Sequence, residues 1–451
     1  MDRSASVFIV LLAVFCVVLG GGGSEPEQVR TVAELMNVFA GQTEPVTTDI
    51  ELLADLDFSA EGLGYPLGAA SGACVPYMGK FDGQGHTIRG ITMDNAGKIV
   101  YNHAALLCDL SGGVVMNLVI DASCHFTGNW AAAVAVRASS RAALRNVTSR
   151  ATVTGSSYAG GLVAAVANSD HTTLMFEGCA TTGRVTGGSA TARSPRADST
   201  PAGGLVGTLR GAGLTVTLTN CTNGAEVRGA GATGGLVGLV STEEGGATVE
   251  VEVQNCANTA AVAASAGAAC GLVCAGGSGA LALSVRNSAN RARVAGESAF
   301  GVAGGVDVAH ADNVVSMGAL AGTQEAHSLW RAAAEEATST FVLAETCQDC
   351  ASATQFHQDP ADGLYYTEGE GAARVDALLN AQVEAKGFTM LWSETLDLVA
   401  ALPGSSSSSS FFSTPDSRTT SSNPDPSLAS TLSIFTPLAL FFSLILLFFG
   451  F

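Results

Sequence analysis

The chain is poor in charged and aromatic side chains. Of its 451 residues, 14% are charged and 6% are aromatic, whereas glycine contributes 54 residues. A core built on large aromatic groups is therefore not available, and the composition favours a tightly wound chain of small side chains. Basic residues are scarce as well, since 21 Lys and Arg stand against 40 Asp and Glu, for a formal net charge of −19. This balance argues against sequence-independent binding of nucleic acid, which requires Lys and Arg at the phosphates.

The sequence motifs of common catalytic sites are also missing. No Gly-x-Ser-x-Gly, His-Glu-x-x-His or phosphate loop occurs, and the seven histidines lack the spacing of metal ligands. We therefore predict no enzyme activity, no metal and no cofactor. The alternative is a secreted carbohydrate-active enzyme, a polysaccharide lyase or hydrolase, because Asp82, His86 and Asp94 cluster in the sequence. A glycosidase needs two carboxylates held roughly 5 to 10 Å apart, and the sequence pairs none convincingly.

The N-terminal region has the pattern of a secretory signal. The uncharged run Val7–Leu19 follows Arg3 and is followed in turn by small residues. Charge, apolar segment and small residues in this order are typical of a cleaved signal peptide. We predict that residues 1–23 are the signal peptide and that the mature chain enters an oxidising compartment.

The C-terminal region has the pattern of a membrane anchor. Residues 403–426 are rich in Ser, Thr and Pro and are predicted to form a stalk, and residues 427–451 form an uncharged apolar tail. A polar spacer with small residues before such a tail favours a glycolipid (GPI) attachment signal, with Ser421 as the attachment site. The alternative is a retained transmembrane helix. The predicted location is the outer face of the plasma membrane.

Ten of the eleven cysteines lie outside the signal peptide. Cys347 and Cys350 are predicted to form a local disulfide; a redox pair and half of a zinc site are the alternatives, but no second such pair accompanies them. Cys270 and Cys274 lie four residues apart in a predicted strand. Strand rise would separate them by roughly 13 Å, so we predict that they do not bond to each other.

A short phrase built around Gly-Gly-Leu-Val recurs along the middle of the chain, at residues 159–163, 202–207, 233–238 and 269–273. Each copy is followed by a segment in which apolar residues occupy every second position, as in residues 215–220, 249–255 and 281–287. Such alternation is typical of strands with one buried and one solvated face. One strand-rich unit is therefore repeated, and the copies must bury their apolar faces against each other as a solenoid.

The strand ends recur at a similar interval and predict about seven coils, at Asn117, Asn146, Gly178, Asn220, Asn255, Asn287 and Asn313. Asparagine tolerates left-handed turn geometry and carries both a donor and an acceptor. We therefore predict that the six asparagines form a ladder, each amide bonding to the next coil. The longest interval contains residues 191–201, which are predicted to be a loop that leaves the stack undisturbed.

Cysteines and glycosylation sequons occur at the same corner of the coil. Cys179, Cys221 and Cys256 each follow a corner position and are predicted either to stack as small apolar groups or to form a disulfide between neighbouring rungs. Asn146 and Asn220 lie in Asn-x-Thr glycosylation sequons. Both are predicted glycosylation sites, although side chains held in a ladder would be unavailable to the transferase.

Short helices are predicted to close both ends of the solenoid. Residues 24–100 should form an N-terminal cap and the first coils, because Thr31 and Glu34 have the spacing of a capping box. Residues 323–402 should form a C-terminal cap, with a helix that ends at Gly387 followed by the segments 390–392 and 396–399. Such caps are expected because an uncovered terminal coil exposes unpaired backbone groups.

The repeats resemble the GLUG-motif family of extracellular repeat proteins. The resemblance is carried by Gly204–Gly207, by Gly235–Gly238 and by the segment Phe81–Ile88, and it extends over Val29–Val399. It implies a right-handed parallel β-helix, with the repeats in residues 101–322. The fold class expected is therefore all-β, a solenoid with helical caps.

The predicted function follows from the exterior of this solenoid. We expect a surface-anchored protein that acts as an adhesin, a surface antigen or a scaffold for ligand display. The expected partners are an extracellular protein or glycan and, through the C-terminal anchor, the membrane. Nucleic acid is not expected as a partner, because of the acidic charge balance.

Overall fold

The computed structural model describes residues 25–70, 73–98, 101–167, 172–188, 200–242, 245–277, 279–305, 308–327, 336–343, 354–358, 360, 364–367 and 372–400. Within these ranges the chain is almost entirely β-strand, with two helices, α1 (Val32–Phe39) and α2 (Val375–Lys386). Many strands end at a glycine or an asparagine with positive φ, a conformation that these residues adopt more readily than others.

The strands of the N-terminal third are β1 (Glu27–Val29), β2 (Ile50–Leu52), β3 (Leu56–Asp57), β4 (Ala69–Ala70), β5 (Ala73–Cys74), β6 (Pro76–Tyr77), β7 (Lys80–Asp82), β8 (Thr87–Arg89), β9 (Thr92–Asp94), β10 (Leu107–Ser111), β11 (Val114–Ile120), β12 (His125–Ala132), β13 (Ala135–Ser139) and β14 (Ala143–Ser149). The middle strands are β15 (Thr152–Gly160), β16 (Val163–Ala167), β17 (Thr173–Glu177), β18 (Ala180–Thr181), β19 (Arg184–Gly187), β20 (Ala202–Gly203), β21 (Val206–Arg210), β22 (Thr215–Thr219), β23 (Thr222–Asn223), β24 (Glu226–Gly229), β25 (Thr233–Gly234), β26 (Val237–Thr242), β27 (Val249–Gln254) and β28 (Ala257–Asn258). The last strands are β29 (Val262–Ala264), β30 (Ala268–Cys270), β31 (Val273–Gly277), β32 (Leu281–Asn290), β33 (Val294–Phe300), β34 (Ala303–Gly304), β35 (Val308–Ser316), β36 (Leu320–His327), β37 (Glu336–Leu343), β38 (Thr354–Gln358), β39 (Tyr365–Thr367), β40 (Met390–Trp392) and β41 (Leu398–Ala400).

Three sheets form the walls of a parallel β-helix, and each coil adds a rung to each wall. Among the described residues the first wall has 18 strands, from β1 to β39; the second has 11, from β9 to β36; and the third has eight, from β6 to β34. Rungs pair in parallel register, so that β17 pairs with β22, β22 with β27 and β27 with β32. The predicted fold class is confirmed.

The parallel stack is longer than the sequence indicates. It begins with β1, which precedes α1 in the chain and pairs with β2. It also continues past residue 322, because β35 pairs with β37 and β37 with β38. The insertion expected at residues 191–201 does not interrupt it, since β19 and β20, on either side, both pair with β15.

Register brings like residues together along the core. Val216 and Leu218 pair with Val251 and Val253 of the next rung, and all four are buried. The intervening Glu252 points outward and forms an ion pair with Arg286 of the following rung at 3.2 Å. The predicted alternation of core and solvated positions is therefore confirmed.

A ladder of buried asparagines lies inside the first wall. Asn223, Asn258 and Asn290 are fully buried. Asn223 Nδ2 donates to Asn258 Oδ1 at 2.8 Å, and Asn258 Nδ2 donates to Asn290 Oδ1 at 2.9 Å. Thr181 Oγ1 donates to Asn223 Oδ1 at 2.7 Å and starts the series. Because buried amides are costly unless hydrogen-bonded, this inner ladder strongly favours the observed register.

The glycines of the repeated phrase pack directly against the inner ladder. A Cβ built on Gly204 would overlap the carbonyl oxygen of Gly235 in the next rung and the amide group of Asn223. Gly235 lies in the same way against Gly271 and Asn258. The recurrence of this glycine therefore has a steric cause, the close approach of two backbones and an amide side chain.

Cys270 and Cys274 form a disulfide, with their Cα atoms 5.4 Å apart. The expectation that they were too distant is wrong, because it assumed one continuous strand. The chain instead turns at Gly271 and Leu272, so that Cys270 ends β30 and Cys274 lies at the start of β31. A second disulfide joins Cys74 to Cys108.

The column Cys179, Cys221 and Cys256 consists of buried free thiols. The interpretation as stacked small groups therefore holds, and the alternative of a disulfide between rungs is wrong for this structure. Cys221 N donates to Cys256 Sγ at 3.4 Å, and each thiol donates to a backbone carbonyl oxygen. A hydrogen bond with Cys221, together with burial, raises the pKa of Cys179, and buried thiols of this kind are chemically inert.

The predicted N-terminal helix is confirmed. Thr31 caps α1, and the reciprocal bonds between Thr31 and Glu34 form the expected capping box. The buried face consists of Val32, Leu35 and Phe39, whereas Met36 is exposed.

The C-terminal helix α2 and the hairpin β40–β41 are also present, and α2 ends at Gly387 in the left-handed conformation. They lie on the flank of the last rungs, although closure of the open edge was expected. Their apolar side chains pack against Ala289, Val315, Phe341 and Phe356, which belong to four successive rungs. An end cap would contact the final rung alone.

We predict that Gly204→Ala lowers the free energy of unfolding by at least about 2 kcal/mol, because the new methyl group overlaps backbone and a buried amide. Urea unfolding followed by circular dichroism measures this change. Gly64→Ala is the matched control, since a Cβ at Gly64 meets nothing within 4 Å and Gly64 does not need a positive φ. Equal stability of the two variants would contradict the steric role of the repeated glycine.

Candidate binding surface

The asparagines of the corner in the first wall form a second, outer ladder, whose members Asn255, Asn287 and Asn313 are buried beneath the C-terminal helix and hairpin. All six asparagines have positive φ, and so does Gly178, which occupies the same position in its coil. Amide-to-amide bonds join the rungs, from Asn146 to Asn117 (3.3 Å), Asn255 to Asn220 (3.0 Å), Asn287 to Asn255 (2.7 Å) and Asn313 to Asn287 (2.6 Å). Gly178 interrupts the series, since it has no side chain to connect Asn146 with Asn220. This outer ladder is structural, because each rung orients the next.

The residues of the enzyme alternative have separate local partners. Asp82 begins the outer ladder by accepting a hydrogen bond from Asn117 Nδ2 at 3.1 Å. Burial opposes its ionisation, but bonds from Gln84 N, Asn117 and Lys80 outweigh this and lower the pKa of Asp82. His86 Nδ1 lies 3.3 Å from Asp55 Oδ1, and the exposed Asp94 accepts a bond from Ala96 N. Asp82 therefore has a structural role in this fold.

The remaining predicted sites are placed only in part. Asn146 is exposed and Asn220 is half-buried, so their glycosylation stays a prediction. Ser421, Cys347 and Cys350 lie outside the described residues.

A column of aromatic rings runs along the outer face of the second wall. His103, Trp130 and Tyr158 occupy the same position in three successive coils. Ring centroids are 5.1 Å apart between His103 and Trp130 and 5.0 Å apart between Trp130 and Tyr158. All three side chains are half-buried. We call these three residues the aromatic ladder.

Local backbone packing positions the aromatic ladder. A Cβ on Gly128 would meet Asn102 O at 2.8 Å and Ala104 N at 3.0 Å, so only glycine lets this segment approach β12 so closely. Ala104 N donates to Trp130 O at 2.9 Å and fixes the register. His103 is thereby held over Trp130.

Small residues support the rings from below. Ala105, Ala132, Val136 and Ala164 form a buried cluster separate from the main core, and Trp130 and Tyr158 pack on it. Ala131 and Ala133, the chain neighbours of Ala132, belong to the main core. Because alternate strand residues point to opposite faces, the cluster lies on the outside of the solenoid, between the second and third walls.

An ion pair lies beside this cluster on the third wall. Arg137 Nη2 donates to Asp109 Oδ2 at 2.9 Å, and Asp109 Oδ1 is buried with no hydrogen-bond partner among the described residues. Burial raises the pKa of Asp109 despite the opposing effect of Arg137. Burial and the nearby charge of Arg137 lower the pKa of His103, whose Nδ1 also lacks a partner within the described ranges.

Neutral polar groups flank the rings in the chain. Ser156 Oγ and Ser157 Oγ both donate to Asn129 Oδ1, at 3.0 and 2.5 Å. All three side chains are partly exposed and lie directly before Trp130 or Tyr158 in sequence. Amide and hydroxyl groups therefore lie next to the rings in the chain, and aromatic faces with a few polar groups nearby are the mixture that small polar ligands require.

Sequence reasoning missed the aromatic ladder because it treated histidines and aromatics singly. The available signal was periodicity. His103, Trp130 and Tyr158 are separated by 27 and 28 residues, close to the 29 residues between Asn117 and Asn146. Side chains at the coil period lie on one column of a solenoid.

Comparison with known proteins gives limited likeness. No family model matches the chain. Halomucin from Haloquadratum walsbyi is 31% identical over 161 residues, which is 34% of this chain and 2% of that protein. The crystal structure of a "putative immunoglobulin A1 protease" from Bacteroides ovatus aligns with a TM-score of 0.40 and 14% identity, over 84% of this chain and 93% of that one. Among the described residues no helix is long and apolar enough to span a membrane.

We predict that His103 makes stability depend on pH. Its pKa is lowered in the folded chain, so the unfolded chain binds a proton more readily once the pH falls below about 6.5. The free energy of unfolding should therefore decrease from pH 7.5 to pH 5, and it should decrease less in His103→Gln. Urea midpoints at the two pH values measure this. The exposed His125 offers the control His125→Gln, which should behave as the wild type; an unchanged pH slope in His103→Gln would contradict the prediction.

Proposed function

We propose that this chain is a cell-surface β-helix scaffold that acts in adhesion or ligand display. The observation that carries the proposal is the aromatic ladder, since a rigid stack of rungs holds three partly exposed rings in one line on its outer face. Exposed aromatic side chains on a rigid support are typical anchors for binding. A surface-antigen role would use the same exposed walls.

Two features support an extracellular location. The disulfides Cys74–Cys108 and Cys270–Cys274 are of a kind that persists in oxidising compartments. The likeness to Halomucin, a protein named as a mucin, points in the same direction over 34% of the chain. The GLUG resemblance, the signal peptide at residues 1–23 and the anchor at Ser421 belong to this proposal as expectations from the sequence. The proposal includes no catalytic residue.

We predict that phosphatidylinositol-specific phospholipase C releases the mature protein from eukaryotic cells that express it, because we expect a glycolipid to anchor the protein. Immunoblotting of medium and membranes measures the release. Ser421→Leu should reduce surface attachment, since a bulky residue disfavours cleavage, whereas Ser407→Leu in the upstream serine run should not. Persistence in the membrane after treatment would favour a retained helix in residues 427–451.

We also predict that cells displaying the full chain attach more strongly to epithelial monolayers or to mucin-coated plates than cells without it. Many copies on one cell would bind the surface at the same time, which raises the avidity of attachment. Counting of cells retained after washing under flow measures this. Removal of the protein by phospholipase, or masking by an antibody against the solenoid, should return attachment to background. Equal attachment with and without the chain would contradict an adhesive function.

A further inference from the structure

We propose that the aromatic ladder binds a neutral glycan chain that lies along the axis of the solenoid; this inference rests on the proposed surface function and names the ligand class. The apolar C–H groups of the sugars would pack against the accessible faces and edges of Trp130 and Tyr158, whose ring planes lie 61° apart, one sugar for each rung. The edge of the binding surface would be completed by polar groups of the flanking residues.

The geometry of the ladder favours a ligand that repeats. The three rings follow each other at 5.1 and 5.0 Å, close to the spacing of parallel strands. A linear chain of pyranose units repeats at a similar distance, so successive sugars can meet successive rings. The next positions of this column are Pro201 and Ala232, which follow from the pairing of Ala159 with Ala202 and of Ala202 with Thr233. The column of rings therefore ends at Tyr158 in this direction.

The surroundings of the ladder disfavour a protein partner. A stable protein interface requires roughly 1,000 Å² or more of well-packed surface with an apolar centre. Outside the ladder, the exposed large apolar side chains of the described part of the chain form no broad patch: Met175 lies on the first wall and Met36 on α1, and Tyr65 pairs with Tyr101 at 5.1 Å. The small cluster around Ala132 is already buried beneath the rings. A narrow aromatic strip suits a slender polymer better than a broad protein face.

The charge of the chain disfavours an anionic ligand. Bases of single-stranded nucleic acid also stack on aromatic rings, but they bring phosphates that require Lys and Arg. The net charge is −19, and the cation nearest to this cluster in the chain, Arg137, is already paired with Asp109 at 2.9 Å. Sulfated and sialylated glycans meet the same obstacle. A neutral glycan brings hydroxyl groups, which match the amide of Asn129 and the hydroxyls of Ser156 and Ser157.

The test uses the full chain displayed on cells and fluorescent neutral oligosaccharides of two to six hexose or N-acetylhexosamine units, with sulfated and sialylated oligosaccharides and single-stranded DNA as separate arms. Flow cytometry measures binding, and an antibody to an epitope tag measures surface display. We expect at least one neutral series to bind, with affinity rising from two to three units, and no binding of the anionic arms.

Variants identify the ladder as the site. Trp130→Ala and Tyr158→Ala should each weaken binding about tenfold or more, because each removes a stacking face. Trp130→Phe and Tyr158→Phe keep a ring and should stay within about threefold of the wild type. Met175→Ala is the matched control, since Met175 is an exposed apolar side chain of the same coil as Tyr158, on the first wall.

Each outcome has one meaning. Binding of no neutral oligosaccharide, stronger binding of an anionic arm, or unchanged binding by both alanine variants at normal surface display would overturn the proposal. If the wild-type cells still adhere and the alanine variants adhere equally, the glycan inference fails and the proposed adhesive function stands. If the displayed wild-type chain supports no adhesion, the proposed function itself fails.

Discussion

The structure depends on strict parallel register between rungs. The inner ladder of Asn223, Asn258 and Asn290 shows why register is so strongly specified, because each buried amide finds its partners only when neighbouring coils are aligned. A shift of one residue would leave several amides unpaired in the core, at a cost of about 1 to 3 kcal/mol for each. The apolar columns specify the same register, because a shift of one residue would also turn their buried side chains toward solvent.

The same register converts sequence periodicity into surface chemistry. Residues about 28 positions apart become neighbours, so Trp130 and Tyr158 meet although no local motif links them. The repeated glycine makes this possible at the corners, where Gly204 and Gly235 let successive backbones approach. The regular geometry of the interior therefore supports an exterior on which three residues at one position of the coil form a candidate site.

Much of the solenoid could be predicted from sequence because alternating apolar residues and corner asparagines are local signals that repeat. Strand segments such as Val249–Gln254, the capping box at Thr31 and the helix stop at Gly387 follow from such signals. The inner ladder was missed because asparagine is usually placed on the surface, although the spacing Asn-x-x-Asn recurs at Asn255 and Asn287. The Cys270–Cys274 disulfide was missed because strand rise does not apply across a corner. The candidate site depends on contacts between coils, which no single segment contains.

The position of the C-terminal helix and hairpin has a mechanical consequence. Trp392 Nε1 donates to Asn287 Oδ1 at 2.6 Å, Lys386 pairs with Asp312 at 2.6 Å, and Asn255 Nδ2 donates to Thr389 Oγ1 at 2.8 Å. These bonds reach three different rungs, and the described part of the chain ends with the second strand of the hairpin, at Ala400. Tension applied to the chain beyond residue 400 would therefore be distributed over several coils. Unfolding from this end would require these hydrogen bonds and this ion pair to break together.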